Sequence, residues 1–502
     1  MLRAVAHCNP AILIPCNSAA VIPCLLAAPA ALHETKVQRS NGPQKSNDSV
    51  TFPVLRSARI AAIPRIMKPT RRPTALSLMS VSHPLPKRVF EENFMNGVAF
   101  SKRLALLVCA AVFALPTLLM ASAGSLDPTF GTNGIVTTAN TGANSAALQS
   151  DGKIVAAGAI STTQNPQQPG LLRYNTNGTL DPNFGSGGEV MIAGNNAGPA
   201  FAVAIQTDGK ILAAAPDNLR LTVFRFNTNG SPDNTFGTNG VVAIEAAGFF
   251  FPPTSGGMAV QSDGKILVAT GRVVARLLPN GQLDSTFGSN GAAPTVGGKS
   301  IGLLPNGEIL IGDGSVASLY RANGSFDTKF GVHGQTPGFA SNGAGGFVVT
   351  TDAITNVTKV ITAGSLITSP SLIFGGSTSG FLLVRYNSDG TVDNSFGSHG
   401  GVATPFPGNI FAQAFSVALQ TNGDIVAVGQ TAPSDTGPSD FGLARYAANG
   451  ELDRTFGNHG FVSTPFGSSV AFADTVLIQT DGKIIAVGNS NNGTTIARYL
   501  AN

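Results

Sequence analysis

One phrase, Asp-x-x-Phe-Gly-x-x-Gly, returns seven times in this chain: Asp127–Gly134, Asp181–Gly188, Asp233–Gly240, Asp284–Gly291, Asp327–Gly334, Asp393–Gly400 and Asp453–Gly460. Its phenylalanines (Phe130, Phe184, Phe236, Phe287, Phe330, Phe396, Phe456) are separated by 54, 52, 51, 43, 66 and 60 residues. A period of this size means copies of one supersecondary unit, stacked in a line or set around an axis. It also bears on function. A residue made in every copy is scaffold, because an active site needs its special residues once.

Two further motifs keep the same phase. Ala147–Gly158 places Asp151-Gly152 between two apolar runs, and Ala204–Ala215, Ala259–Thr270, Ala418–Gly429 and Leu477–Gly488 match it. Asp-Gly or Asn-Gly there predicts a tight hairpin, since both turn residues must tolerate positive φ. The fourth copy turns at Pro305-Asn306-Gly307; the fifth, around Asn356–Gly364, is degenerate. Leu171–Gly178 supplies the other motif, and the five tyrosines of the chain (Tyr174, Tyr320, Tyr386, Tyr446, Tyr499) share one place in it, with Phe226 and Leu277 filling the other two. Each repeat therefore reads strand, tight turn, strand, variable loop, strand, tight turn, outer strand. Four antiparallel strands in about 40–60 residues make a propeller blade, so the expected fold is an all-β, seven-bladed β-propeller of four-stranded antiparallel blades.

Within a blade, the repeated Asp is expected to accept hydrogen bonds from turn amides. The Phe is expected to plug the core between sheets, and the Arg before each Tyr to lie on the sheet and pair locally. The last copy stops at Ala497-Arg498-Tyr499-Leu500-Ala501-Asn502, and the missing Leu-Asp-x-x-Phe-Gly sits at the other end, in Gly124–Gly131. The N-terminal segment is thus expected to supply the outer strand of the blade that the C-terminus begins, which removes an exposed sheet edge.

Residues 95–123 have the order of a secretory signal peptide: Met95, then Lys102-Arg103, an apolar stretch from Leu104 to Met120 broken by Pro116, and Ala121-Ser122-Ala123 as the cleavage motif. A retained membrane anchor is the competing reading, although the stretch is short for a span. Residues 1–94, rich in Pro and basic residues and without repeats, are expected to be a disordered leader or a misassigned translation start. Lys and Arg number 14 up to residue 123 and 17 beyond it, Asp and Glu 4 and 23, so the two parts carry +10 and −6. The basic balance of the whole chain therefore does not point the domain 124–502 towards nucleic acid. All four cysteines (Cys8, Cys16, Cys24, Cys109) precede Gly124, so that domain uses neither disulfides nor a thiol nucleophile. The expected location is secreted or periplasmic, with no membrane insertion after cleavage near Ala123, and the expected state is a monomer.

Length variation falls on one face, in the middle loops and the links between blades. Phe249, Phe250, Phe251, Phe406 and Phe411 lie in those links and are the candidate ligand face, against the alternative that they fold inward to cap the blade cores. His333, His399 and His459 share one repeat position, where other copies carry Asn133, Gly187, Asn239 and Asn290. Residues that tolerate left-handed backbone account for that set, and no metal or cofactor is expected. No phosphate loop, zinc-protease motif or nucleophile elbow occurs in the sequence. Asp435 and Asp440 share a variable loop, where solvation is the expected role.

Arg-Tyr-x-x-Asn/Asp-Gly-x-Leu-Asp-x-x-Phe-Gly-x-x-Gly with the Gln-x-Asp-Gly-Lys-Ile hairpin resembles the delta-60 repeat family of bacterial β-propellers, over residues 124–502. The resemblance implies an exported or cell-surface protein and carries over no functional residues, since no common activity is established for the family. The expected role is a non-enzymatic binding module for an extracellular or periplasmic glycan or protein. Two other classes stay open: a passive structural or adhesive element, and a propeller hydrolase or lyase, which would need convergent single-copy acids or histidines near the axis.

Overall fold

The computed structural model describes residues 122–163, 167–192, 198–217, 220–245, 255–313, 315–338, 345–351, 358–368, 378–434 and 437–502, all within the compact unit Lys102–Asn502. The leader, most of the candidate signal peptide, Phe249, Phe250, Phe251, Asp435 and the degenerate turn near Asn356 lie outside the described residues. No helix among them is long and apolar enough to cross a membrane.

The chain opens with β1 (Ile135–Thr138). Blade 1 follows as β2 (Thr141–Leu148), β3 (Ile154–Ile160), β4 (Gln168–Tyr174) and β5 (Glu189–Met191). Blade 2 is β6 (Ala202–Ile205), β7 (Ile211–Asp217), β8 (Arg220–Phe226) and β9 (Val241–Ile244). Blade 3 is β10 (Gly256–Val260), β11 (Ile266–Thr270), β12 (Val273–Leu277) and β13 (Ala292–Pro294). Blade 4 holds β14 (Ser300–Leu303), β15 (Ile309–Gly312) and β16 (Ala317–Tyr320), its outer strand contracted to one bridge between Ser318 and Gln335. Blade 5 is β17 (Phe347–Thr351), β18 (Thr358–Thr368), β19 (Thr378–Asn387) and β20 (Gly401–Thr404). Blade 6 is β21 (Phe411–Leu419), β22 (Ile425–Ala432), β23 (Asp440–Tyr446) and β24 (Phe461–Thr464). Blade 7 contributes β25 (Phe472–Ile478), β26 (Ile484–Ser490) and β27 (Gly493–Tyr499), and takes β1 as its outer strand.

All pairing within blades is antiparallel between sequence neighbours, except at that seam. There Ile135 pairs with Ala497 and Thr138 with Thr494. The amide of Gly124 donates to the Leu500 carbonyl at 2.8 Å, and that of Leu500 returns a bond to Ser125 at 2.9 Å. The split motif read from the two chain ends is one motif in space, and the seven-bladed ring closes as expected.

Burial explains the sequence texture. The second and third strands of each blade are sandwiched between neighbouring sheets and so are apolar almost throughout, as in Ile154-Val155-Ala156-Ala157. Inner strands such as β21 alternate between buried and half-buried residues, because one face meets the axis. The repeated phenylalanines are buried, each worth about 1.5–3 kcal/mol of transfer free energy. They join core clusters that straddle two blades: Phe184 of blade 1 lies with Ile211 and Phe224 of blade 2. Tyrosine hydroxyls also cross between blades, Tyr174 to Thr138 at 2.8 Å and Tyr446 to Thr404 at 2.8 Å.

The repeated Arg, Asp and Phe form one clamp. In blade 1 the Arg173 guanidinium lies 4.4 Å from the Phe184 ring centroid and donates to Asp181 at 2.9 Å. Its remaining arm donates to the Thr228 carbonyl of blade 2. Arg225, Arg276, Arg385, Arg445 and Arg498 repeat this geometry. The Asp accepts in addition from the amide two residues on, as Asp127 does from Thr129 at 2.9 Å and Asp284 from Thr286 at 3.1 Å. Hairpin lysines add a second cation, Lys210 reaching Asp233 at 3.1 Å. Burial pushes these carboxyl groups up, but the Thr or Ser hydroxyl, the turn amide and the two cations outweigh it. Asp233 and Asp393 end well below the usual range, and Asp284 at about 2. Blade 4 departs from this pattern. Leu319 holds the arginine's place, and Arg321, two residues on, pairs with Asp327 at 3.0 Å near the surface.

The histidine position also follows the turn argument. Asn133, Asn239, Asn290, His333, His399 and His459 all have φ of 52–56°, and Gly187 has 66°. A left-handed residue just before the last Gly is a requirement of the corner, and Asn, His and Gly meet it.

Candidate functional site

The seven inner strands surround an axial channel, and a cavity of about 420 Å³ opens among them. Its lining comes from every blade. Three inner strands carry a β-bulge at the same place, between Ala143 and Ser145, Ala414 and Ser416, and Ala473 and Thr475. The extra residues are Asn144, Phe415 and Asp474. Counting back from the hairpin turn, the other blades put Phe201, Gly256, Lys299 and Gly345 at this position. One step further along the strand the seven residues are Ser145, Ala202, Gly257, Ser300, Gly346, Ser416 and Thr475, all small. The scaffold thus repeats its clamp in six of the seven blades and is small-walled in its channel. At one ring it abandons repetition for a cation, an anion, an amide, two aromatics and two glycines.

That ring lies at or just before the starts of β6, β10, β14 and β17 and at the bulges inside β2, β21 and β25, away from the hairpin turns and so towards the face of the blade links and middle loops. Bulges there re-aim a side chain that regular pleating would have sent into the sheet. The Lys299 ammonium extends towards blade 6 and lies 5.1 Å from the Phe415 ring centroid. Asp474 of blade 7 accepts from the Asn489 amide at 3.3 Å. Asn489 is fixed in turn by the Ala143 backbone, accepting from its amide at 2.8 Å and donating to its carbonyl at 2.6 Å. Burial raises Asp474 to about 6, against the opposing pull of Lys299 and Asn489. Burial likewise lowers Lys299, while Asp474 and then Asp313 pull it back up. The two charges, from blades 4 and 7, therefore act on one another.

Glycine is required at two places in this wall. A Cβ on Gly257 would come within 2.8 Å of the Lys299 carbonyl oxygen, and one on Gly256 within 2.7 Å of the Phe201 ring. The missing side chain at Gly257 lets blades 3 and 4 approach closely.

Of the aromatics singled out from the sequence, Phe406 and Phe411 fall among the described residues. Phe406 is 3% exposed, stacked between Phe381 at 4.7 Å and Phe461 at 5.4 Å. It joins the core cluster shared by blades 5 and 6 and so is not exposed as a contact surface. Phe411 begins β21 half-buried, paired with Ala432. Asp440 accepts from the Ser463 hydroxyl at 2.8 Å. Lys299, Asp474 and Asn144 were missed because the reading sought aromatics in long loops. The available signal was the fifth residue before each hairpin glutamine (Asn144, Phe201, Gly256, Phe415, Asp474), a column of unlike residues beside columns of like ones.

A family model described as a domain of unknown function (DUF5122) beta-propeller matches residues 149–184, 206–236, 261–287, 371–396 and 420–456, each stretch ending on the repeated phenylalanine. The chain is a β-propeller repeat protein. No curated protein matches the propeller. Among solved structures, it is similar to catalytically inactive virginiamycin B lyase from Staphylococcus aureus with quinupristin: 10% identity, TM-score 0.44, 73% of this chain and 99% of that one. It is also similar to the Neurospora crassa Pan2 WD40 domain, at 11% identity and TM-score 0.41 over 73% and 90% of the two chains. Drosophila Plexin A in complex with Semaphorin 1b gives 9% identity and TM-score 0.39 over 75% and 88%.

Proposed function

We propose that the propeller is a non-enzymatic binding module whose ligand enters the axial channel at the variable-loop face. One observation carries this reading: the sevenfold scaffold gives way to unlike, partly charged residues at a single ring, and that ring lines the mouth. A closed ring of hydrogen-bonded strands holds such groups rigidly, so binding them to a ligand costs little ordering entropy. A passive spacer has no use for a carboxylate and an ammonium that desolvation disfavours. On this reading the chain is an exported, monomeric protein of the delta-60 kind, with its ligand outside the cytoplasm. The resemblance in its repeats and the order of residues 95–123 support that placement.

The test is a glycan array and a pull-down with the full chain, run beside a Lys299→Met/Asp474→Asn double variant. At least one wild-type ligand is expected to be lost in the variant. If every ligand found binds both proteins equally, the mouth is not the binding site.

A further inference from the structure

We infer a second binding site, on the hairpin-turn face of blade 6 and away from the mouth, which takes the ammonium of a lysine side chain presented by a partner polypeptide. The molecule shows the filled form of this site five times. The hairpin lysines Lys153, Lys210, Lys265, Lys359 and Lys483 place their ammonium groups 3.2, 3.1, 3.5, 3.0 and 3.6 Å from an oxygen of Asp181, Asp233, Asp284, Asp393 and Asp127. Blade 6 keeps the clamp, with Arg445 on Asp453 at 2.7 Å, but carries Asp424 where those blades carry the lysine. Blade 4 also lacks the lysine, having Glu308 there, and Arg321 answers Asp327 in its stead. Among the described residues, Arg445 is the one cation paired with Asp453, and no second cation joins it. The Asp453 side chain is accordingly 20% exposed, against 2–8% for the five aspartates that hold a lysine.

The surroundings change with the missing lysine. A cavity of about 730 Å³ opens beside Asp453, lined by Asp424, Ala447, Glu451, Leu452, Asp453 and Arg454. Ala447 stands where blade 5 has Asn387, which accepts from the Lys359 ammonium at 2.6 Å, so the cleft is wider here. Glu451 and Arg454 occupy columns that are uncharged in every other copy, as with Thr179 and Pro182 in blade 1. Three new charges thus meet at one cleft. With Arg445 set against Asp453, two carboxylates face one guanidinium, and an ammonium balances the surplus. Arg454 in turn favours an acidic residue beside the partner's lysine. A metal ion fits less well, since no three acidic or histidine side chains among the described residues are arranged to hold one. An ammonium tolerates the Arg445 guanidinium beside it, as the five hairpin lysines tolerate an arginine on the same aspartate oxygen. An exposed ion pair alone contributes little, but the clamp already holds Asp453 in place, so less ordering is lost on binding.

The experiment is a screen of the full chain against a hexapeptide library with lysine fixed at the third position, beside the same library with norleucine or acetyl-lysine there. Lysine peptides are expected to be enriched, with their norleucine and acetyl-lysine forms at least tenfold weaker and with Asp or Glu favoured next to the lysine. Asp424→Lys restores the repeat and is expected to weaken these peptides at least tenfold, while its melting temperature stays at or above wild type. Asp424→Asn is expected to weaken them by a smaller factor, and it decides the matter if the lysine variant melts low. Arg454→Asn is expected to remove only the preference for an acidic neighbour. No enriched lysine peptide, equal binding of the norleucine forms, or wild-type binding by both Asp424 variants overturns the inference. Calcium chloride that raises the melting temperature of wild type but not of Asp424→Lys also overturns it, since the cleft would then hold a metal ion. None of these variants touches the mouth, so failure here leaves the proposed function to its own test.

Discussion

Arg498→Ala tests the closure of the ring. Arg498 is 5% exposed and holds three parts of the seam together. Its Nε donates to Asp127 at 3.0 Å and its Nη2 to Thr129 at 3.0 Å, both on the N-terminal segment. Its Nη1 donates to the Thr176 carbonyl of blade 1, and the guanidinium lies 4.6 Å from the Phe130 centroid. Removing one member of a buried ion pair costs about 3–5 kcal/mol, chiefly through the charge left behind. The lost cation–π contact adds about 1 kcal/mol. Lys483, 3.6 Å from Asp127, and the Thr129 donors recover part of that, so the expected loss is about 3–5 kcal/mol in urea unfolding. Arg276→Ala is the control, since it breaks the same clamp inside blade 3, with Asp284 at 2.8 Å. The two variants should lose similar stability but differ in where protection is lost. Hydrogen exchange should rise at the amides of Ile135–Thr138 in the Arg498 variant and stay near wild type there in the Arg276 variant. If both variants leave β1 equally protected, the N-terminal strand is not held by the last blade and the closure argument fails.

Further predictions follow from the charged groups, the corner and the leader. Asp233, Asp284 and Asp393 bind protons more weakly folded than unfolded, where the reference value is 3.8. Their stabilisation is complete above pH about 4 and is lost as the pH falls towards 2, so Thr286→Val should raise the acid-unfolding midpoint seen by circular dichroism. Asp474 has the opposite sign, binding its proton more tightly folded, at about 6, than unfolded. Stability through this group therefore falls as pH rises from about 4 to 6. With Lys299, Asn489 and, through Lys299, Asp313 as the groups around it, Asp474→Asn should flatten that segment of the melting temperature against pH. His399→Asn should leave the melting temperature unchanged, whereas His399→Val should cost about 1–2 kcal/mol, because a β-branched residue resists φ of 53°. If both lower stability equally, the histidine does more than turn the corner. N-terminal sequencing of exported protein should read from Gly124, at the cost of the bond from Gly457 to the Ala123 carbonyl, about 1 kcal/mol. A start far upstream would refute the signal-peptide reading.

The scaffold was legible because its determinants are local and repeated. Asp-Gly fixes a turn by its own backbone preference, and the Arg-Asp-Phe clamp closes within one motif, as Arg173 to Asp181 does. The closure could be read because a phrase was cut between the two ends. The joint role of Arg and Asp was less apparent, since donation to the Thr228 carbonyl depends on how neighbouring blades approach. The site was hidden for a related reason. Asn144, Lys299 and Asp474 lie just outside the repeated phrases, and no spacing rule links a lysine in one repeat to an aspartate three repeats later. Only the circular arrangement brings them to one opening. The long loops drew attention through their phenylalanines, yet Phe406 shows that an aromatic in a variable link can serve as a lid on the core.

The seam has a consequence for how this protein is made. Ile135, among the first residues of the ring to be synthesised, has no partner until Ala497 appears, among the last. During that interval the growing sheet assembly has an unfinished border at each end, and contacts so distant in sequence are slow to form. A chain ended before Gly493 would lose β27, leaving β1 without a mate and β26 paired on one side only, with β25. Until β27 is in place the ring carries open β-edges, prone to join other chains.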